Sequence, residues 1–233
     1  MRFKFAIVRS VEIFIGITMM VFGGCGFDHS RGTASSDTNS AGAENDTDVV
    51  RYRELPVHYK IASTIPAEFH ADIRAGFSSW NEATGVEIFV YDGIKSLQDD
   101  QLAPDFTVNE NVVLQTNRSG QLAADAAQGS DGGPGPLART YLKGATKIMD
   151  ADVYLFEFDT YFVNGRPDTG DIYSLESVVA HEAGHILFGS DHSSDEESIM
   201  TAVLYPKDNP KEKLGPSQSD ADRFEAVYAD LIE

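Results

Sequence analysis

The most informative stretch of this chain runs from His181 to His192 and reads HEAGHILFGSDH. His181 and His185 are four residues apart, so on a helix they lie one turn apart on the same face. Two neutral imidazoles in this arrangement can bind one zinc ion, and Glu182 can reach a metal-bound water without being a ligand. The spacing predicts a metal-binding helix, and two polar surface histidines are the alternative explanation.

The helix that carries these histidines has a recognisable start. Ser174 is a suitable N-cap, and Glu176 falls in the first turn, where an acidic side chain is favoured. Apolar residues at helical spacing predict a buried face that is separate from the face with the histidines. The predicted buried face consists of Leu175, Val179, Ala183 and Ile186.

Downstream of the histidines, the sequence Ser198-Ile199-Met200 follows after a short interval. Together the two segments resemble the metzincin clan of zinc metalloproteases, and within it the matrixin-like branch. In that clan the helix ends at a glycine, a third histidine completes the zinc site, and a methionine turn lies beneath the metal. The resemblance implies that Met200 is this methionine. Three protein ligands with one open position are also what a catalytic zinc ion requires.

The third ligand is the point at which this chain departs from the family pattern. In the family the glycine comes three residues after the second histidine and the third ligand six after it. Here Gly189 is four residues on and His192 seven. A one-residue insertion makes His192 the ligand, whereas an unshifted register puts Phe188 in the glycine position and makes Asp191 the ligand. We favour His192, because a positive φ would cost Phe188 about 1–2 kcal/mol.

The remainder of the chain predicts an α+β domain. Strands are expected at residues 56–62, 86–91, 111–115 and 147–155, a long helix at 66–84, and a last helix from about Ser219. The family resemblance implies a metzincin-like zincin fold. It has a twisted mixed sheet, a long N-terminal helix, an active-site helix and a small C-terminal subdomain that ends in a helix. It also makes residues 137–141 and 147–155 the loop and edge strand above the cleft, so that 150–155 would bind an extended substrate.

The N-terminus has the parts of an export signal. Arg2, Lys4 and Arg9 precede an apolar run at residues 13–22, which is too short to be a comfortable permanent membrane span. Small residues before Cys25 resemble the bacterial lipobox, in which the cysteine is acylated. An ordinary signal peptide with an incidental cysteine is the alternative.

These features predict three regions: a signal peptide at 1–24, a lipidated N-terminus with a flexible linker at 25–50, and a catalytic domain at 51–233. The linker is rich in small polar residues and has almost nothing to bury. We therefore expect an exported bacterial lipoprotein, anchored to a membrane in the periplasm or at the cell surface. We expect the protein to be a monomer.

Composition excludes some partners. The formal net charge is −19, which repels phosphate backbones and makes nucleic acid a poor partner. Cys25 is the single cysteine, so neither an internal disulfide nor a thiolate metal cluster can form. The loop beginning at Asp131 resembles a family calcium loop, although a plain flexible loop is the favoured interpretation. Tyr205 is a candidate for lining the pocket beside the metal, and a packed aromatic is its alternative.

The function implied is that of a zinc-dependent metalloendopeptidase, which hydrolyses peptide bonds in protein or peptide substrates. One catalytic Zn²⁺ would be held by His181, His185 and His192, with Glu182 as the general base for the attacking water. Two alternatives remain open. One is a surface lipoprotein that binds zinc without turnover, and the other is a zinc peptidase specific for cell-wall peptides.

Overall fold

The computed structural model describes residues 50–97, 110–116, 138–144, 147–156, 161–162 and 173–232. The signal peptide at 1–24, the lipidation candidate Cys25, the linker up to residue 49 and the calcium candidate Asp131 lie outside the described residues. The predictions made for them therefore remain predictions.

A mixed five-stranded sheet forms the centre of the domain. The described strands are β1 (Arg51–Tyr52), β2 (Val57–Ala62), β3 (Phe89–Lys95), β4 (Asn111–Thr116), β5 (Ala138–Lys143), β6 (Lys147–Ile148), β7 (Asp150–Phe156), β8 (Tyr161–Phe162) and β9 (Tyr173–Ser174). The strand order of the central sheet is β3-β2-β4-β7-β5, in which the first four strands are parallel and β5 is antiparallel to β7. Two small parallel pairs, β1 with β6 and β8 with β9, accompany this sheet.

The helices confirm the predicted α+β class. Those in the described part of the chain are α1 (His70–Thr84), α2 (Leu175–Phe188) and α3 (Gln218–Tyr228), with 3-10 turns before α1 and after α3. As predicted, α1 ends at Gly85, whose φ of 70° is the left-handed conformation that glycine tolerates best. Within the described residues, none of the helices combines the length and apolar character that a membrane crossing requires.

The main core lies between one face of the sheet and the helices. Tyr59 of β2 stacks on Phe77 of α1 with ring centroids 3.9 Å apart. The indole Nε1 of Trp80 donates a hydrogen bond of 2.8 Å to the carbonyl oxygen of Ala180, which ties α1 to α2. The opposite face of the sheet carries a smaller cluster that includes Tyr141 and Tyr154. The two helices are therefore fixed to each other through a buried hydrogen bond as well as through apolar packing.

The helix α2 is buried nearly all round, which corrects the prediction of two separate faces. His181, Glu182 and His185 are as inaccessible as the apolar residues of the same helix, with exposures of 0%, 2% and 7%. The reason is that β5 and the segment around Met200 cover the polar side of α2, which periodicity along a single helix cannot reveal.

Two strand predictions were wrong in their bounds. The strand predicted at 86–91 is β3, which begins only at Phe89, where its pairing with Val57 of β2 starts, and continues to Lys95. The strand predicted at 147–155 is interrupted at Met149, so that its first part pairs with β1 and its second part forms β7. Strand β7 lies between β4 and β5, so the prediction that 150–155 offers a free edge is wrong. On this side the sheet ends at β5, and on the other side it ends at β3.

Candidate metal centre

The helix α2 begins and ends where the sequence predicted. The side chain of Ser174 accepts a hydrogen bond from the backbone N–H of Ser177 at 3.3 Å. At the other end Phe188 is the last helical residue, and Gly189 has a φ of 71°. The N–H of Gly189 closes the helix by donating to the carbonyl of His185 at 2.9 Å. The chain leaves the helix at this glycine and turns back toward the histidines.

Three histidines meet at this end of α2. The Nε2 atoms of His181 and His185 are 3.1 Å apart. The ring of His192 lies 5.4 Å from that of His181 and 4.9 Å from that of His185, measured between centroids. Each residue offers a nitrogen, and these nitrogens all lie within 4.8 Å of one another. The structure thus brings together the three histidines that the sequence predicted as ligands.

The hydrogen bonds of the first two histidines identify which ring nitrogen carries the hydrogen. Nδ1 of His181 is 2.8 Å from the carbonyl oxygen of Ile199, and Nδ1 of His185 is 2.7 Å from that of Gly189. A carbonyl oxygen only accepts, so each Nδ1 carries the hydrogen and each Nε2 has its lone pair exposed. Two lone pairs 3.1 Å apart cannot bond to each other, whereas a shared cation satisfies both. The residues present therefore fit a zinc ion.

Burial also favours the neutral form that a metal ligand needs. It lowers the pKa of His181 and that of His185 from the ordinary value of 6.5 to about 4. It also lowers the pKa of His192, which is only half-buried. Near neutral pH the rings are uncharged, and uncharged imidazole is the form that binds a metal.

Asp191, the alternative third ligand, is directed elsewhere. Its side chain is 76% exposed and its carboxylate lies 3.8 Å from the guanidinium of Arg223 on α3. The same guanidinium lies over the ring of Phe188, 4.3 Å from its centroid. Among the described residues, the group with metal-ligand spacing contains His192 and does not contain Asp191.

Glu182 is buried beside the histidines and touches an end strand of the sheet. The hydroxyl of Thr140 on β5 lies 2.7 Å from Oε2 of Glu182 and 3.0 Å from the carbonyl oxygen of the same residue. Burial raises the pKa of Glu182 above its ordinary value. The role of Thr140 was not predicted from the sequence, which placed residues 137–141 in a loop. The structure corrects this, because Thr140 lies in strand β5. Its contact is with a residue 42 positions further on, which no local pattern reveals.

Met200 lies directly beneath α2. Its side chain is fully buried, and a Cβ built on Gly184 would come within 2.1 Å of its sulfur. The backbone around it is fixed on both sides. Its N–H donates to the hydroxyl of Ser198 at 2.9 Å, and its carbonyl accepts from the N–H of Ser193 at 2.7 Å. The turn therefore connects the segment of His192 to the underside of the helix.

A carboxylate on α3 anchors this turn. Asp220 accepts hydrogen bonds from the backbone N–H groups of Ile199 and Ser217, each at 2.9 Å, and from the hydroxyl of Ser198. Ile199 thus donates its backbone N–H to Asp220, and its carbonyl oxygen, in the following peptide unit, accepts from His181. The sequence analysis missed this role, although Ser217 and Asp220 have the spacing of a capping box, which the structure contains.

The other candidates named from the sequence are not drawn into this cluster. Tyr205 is half-buried, and its ring centroid lies 5.7 Å from the ammonium nitrogen of Lys211. Its role in a pocket stays a prediction. Asp131 and Cys25 are outside the described residues, so calcium binding and lipidation are not addressed by this geometry.

The fold and the site together correspond to a known class of protein. A buried helix with two histidines one turn apart, a third histidine after a glycine and a methionine turn beneath them define a metzincin-type metal site. The sequence model of the family described as Matrixin matches residues 51–229. The chain therefore belongs to the matrixin family, whose members are zinc-dependent metallopeptidases, and the resemblance and fold class predicted from the sequence are confirmed.

A curated relative agrees with this assignment. The chain is 29% identical over 164 residues to Metalloendoproteinase 2-MMP of Arabidopsis thaliana. The match covers 67% of this chain and 41% of the plant protein, so this chain spans less than half the length of that relative.

Proposed function

We propose that this chain is a zinc-dependent metalloendopeptidase that hydrolyses peptide bonds within proteins. The observation that carries the proposal is the pair of Nε2 atoms of His181 and His185. They lie 3.1 Å apart, and both rings are oriented by a carbonyl at Nδ1. In this orientation the Nε2 lone pairs of both rings are directed to a common point, as two ligands of one metal ion must be.

We assign His192 as the third ligand and Asp191 as a non-ligand. Support comes from the positive φ of Gly189, which allows the chain to turn after one extra residue. It comes also from the exposure of Asp191 and its proximity to Arg223. A third imidazole leaves one coordination position open for substrate and water.

A zinc ion, when bound, supplies Lewis acidity that favours deprotonation of water and stabilises negative charge on a carbonyl oxygen. Glu182 supplies the acid-base chemistry. Its carboxylate accepts the proton of the attacking water, and the resulting carboxylic acid passes that proton to the nitrogen of the leaving amine. A buried carboxylate whose pKa is raised is suited to both steps, because it is a stronger base and holds the proton longer.

We propose that β5 is the strand to which an extended substrate adds. It is one of the two end strands of the sheet, the one beside α2, and pairs only with β7 among the described strands. Its residue Thr140 touches Glu182, so a peptide bound along β5 would pass close to the general base. Backbone hydrogen bonds to an end strand bind a peptide with little dependence on its sequence.

We further propose that the protein is exported and acylated at Cys25, with the linker holding a monomeric catalytic domain away from the membrane. Support comes from the residue pattern before Cys25 alone. Cys25→Ser should abolish incorporation of labelled palmitate and release the protein from the membrane fraction. Continued labelling of this variant would remove the lipoprotein assignment.

The catalytic proposal is tested with the full chain, zinc and casein. The wild-type chain should bind about one zinc ion and cleave casein, and a chelator should stop cleavage until zinc is restored. Glu182→Gln should keep its zinc and lose at least about 100-fold in kcat. Glu176→Gln, in the first turn of the same helix, is the matched control and should cleave normally.

The other outcomes identify the alternatives. Cleavage by Glu182→Gln at the wild-type rate would reject the assigned base. Cleavage of peptidoglycan fragments but not of casein would indicate a peptidase of cell-wall peptides. Stoichiometric zinc without cleavage of either substrate would indicate a protein that binds zinc without turnover.

A further inference from the structure

The hydroxyl of Thr140 links the sheet to the carboxylate of Glu182, and the backbone N–H of the same residue is a second donor to that carboxylate. The hydroxyl oxygen lies 2.7 Å from Oε2 of Glu182, a usual distance for a hydrogen bond from a hydroxyl to an oxygen. Because an ionised carboxylate and a carbonyl oxygen both only accept, the hydroxyl is the donor in this contact. Its second contact, 3.0 Å to the carbonyl oxygen of Glu182, places the hydroxyl beside both the backbone and the side chain of that residue.

We propose that Thr140 is a positioning residue that holds the carboxylate of Glu182 in its working orientation. The inference rests on the proposed function, in which Glu182 is the base. A glutamate side chain has three rotatable bonds, and a base must lie within hydrogen-bond reach of the proton that it takes. A donor fixed to the sheet removes much of that freedom, because β5 is held by its pairing with β7 from Ala138 to Lys143.

A hydroxyl suits a carboxyl group that takes up and releases a proton. It donates to the carboxylate, and when Oε2 carries the proton it accepts that hydrogen bond instead. Its own hydrogen can then turn to the carbonyl oxygen of Glu182 at 3.0 Å. The hydrogen bond between Thr140 and Glu182 is thus kept in the ionised and in the protonated form of the carboxyl group. The side chain of Glu182 therefore keeps its orientation between the two proton transfers.

The contact also joins substrate binding to catalysis. Strand β5 is the proposed docking strand, and Thr140 lies in its middle, paired with Val153 of β7. The backbone N–H of Thr140 and its hydroxyl both reach the carboxylate of Glu182, so a bound peptide would pair with the backbone of the neighbouring β5 residues. Removing the hydroxyl should therefore lower kcat and leave KM nearly unchanged, because the backbone that binds the peptide is retained.

The test compares three variants of the full chain loaded with zinc, with casein and a peptide as substrates. Thr140→Val keeps the branched shape and removes the hydroxyl, and kcat should fall by about 10-fold to 100-fold, as for other outer partners of a catalytic group. KM, zinc content and Tm should remain close to those of wild type. Thr140→Ser keeps the hydroxyl and should retain most of kcat. Thr84→Val is the matched control, since its hydroxyl bonds to the carbonyl of Trp80 at 2.8 Å on α1.

A second comparison separates positioning from packing. In a Glu182→Gln background the change Thr140→Val should have little further effect on the residual rate, because the base that it positions is already lost. Should Thr140→Val fold poorly, Thr140→Ala removes the same hydroxyl with less bulk and takes its place.

The inference is overturned if Thr140→Val has the kcat of wild type, or if Thr140→Ser is as slow as Thr140→Val. An additive loss in the Glu182→Gln background overturns it as well. A wild-type chain that cleaves neither substrate with zinc bound rejects the proposed function itself, and the role of Thr140 is rejected with it.

Discussion

The sulfur of Met200 lies so close to the backbone of Gly184 that a methyl group added there would come within 2.1 Å of it. The same methyl group would lie 2.9 Å from the ring of Trp80. We therefore expect Gly184→Ala to lower the free energy of unfolding by about 1–3 kcal/mol, since overpacking forces neighbouring groups to move. Zinc affinity should fall too, because His181 and His185 flank this position. Urea unfolding and zinc titration measure the two effects.

The matched control is Met200→Ala, which enlarges the space beside Gly184. Met200→Ala removes the side chain that the new methyl group would meet, so Gly184→Ala combined with Met200→Ala should be less destabilised than the sum of the two single variants. Wild-type stability in Gly184→Ala alone would contradict the close approach of the turn to the helix.

The carboxylate of Asp220 binds two separate segments, the start of α3 and the turn before Met200, and one substitution removes both contacts. Asp220→Ala removes the carboxylate that completes the capping box of α3 with Ser217, and with it the acceptor for the N–H of Ile199. We expect a loss of roughly 2–4 kcal/mol in the free energy of unfolding. Zinc affinity should fall about 10-fold, because the carbonyl of Ile199 orients His181. The exposed Asp222, two residues on, is the control, and Asp222→Ala should change stability by at most about 0.5 kcal/mol. Equal effects of the two changes would argue against an anchored turn.

The choice of third ligand predicts opposite results for neighbouring residues. His192→Ala should weaken zinc binding by more than about 100-fold, which exceeds the loss typical of a residue that only hydrogen-bonds to a metal ligand. Asp191→Ala should weaken it by less than about 3-fold, since an exposed ion pair contributes little. Competition with a chromogenic chelator measures both. The reverse order of effects would assign the site to Asp191.

The ion pairs of Glu110 predict a pH dependence of stability. Its two oxygens each lie 2.6 Å from a lysine nitrogen, of Lys60 and of Lys95. The hydrogen bond from Lys60 and then that from Lys95 hold the pKa of Glu110 below its ordinary value of 4.5. Its stabilisation is therefore present above pH 4.5 and lost as the pH falls through the lowered pKa.

Glu110→Gln should accordingly be less stable than wild type by about 0.5–1 kcal/mol at pH 7, a range that allows for solvent screening. The difference between the two proteins should shrink in acid and vanish below the lowered pKa. Unfolding in urea across this pH range measures it. A difference that grows in acid would contradict the assigned ion pairs.

The sequence predicted the helices and the histidine cluster because both depend on residues close together in the chain. The N-cap at Ser174, the stop at Gly189 and the spacing of His181 and His185 are local features. The errors arose where distant segments meet. Strand β7 was expected at an edge, and only the pairing of β5 with it shows otherwise.

The same reason explains the residues that were missed. Thr140 and Asp220 reach the site from a strand and a helix on opposite sides of α2 in the sequence. No periodicity within either segment indicates the contact. The polar side of α2 is buried by β5 and by the turn around Met200, which Asp220 anchors, so its burial could not be derived from the helix alone.

The position of Asp220 near the C-terminus matters when a C-terminally truncated chain is interpreted from its sequence. A chain that stopped before Ser217 would still contain every histidine of the motif, the glutamate between them and the methionine downstream. It would lack the carboxylate that holds the Ile199 peptide in place. A motif search would count such a truncated product as intact, although the imidazole of His181 would have lost its fixed support.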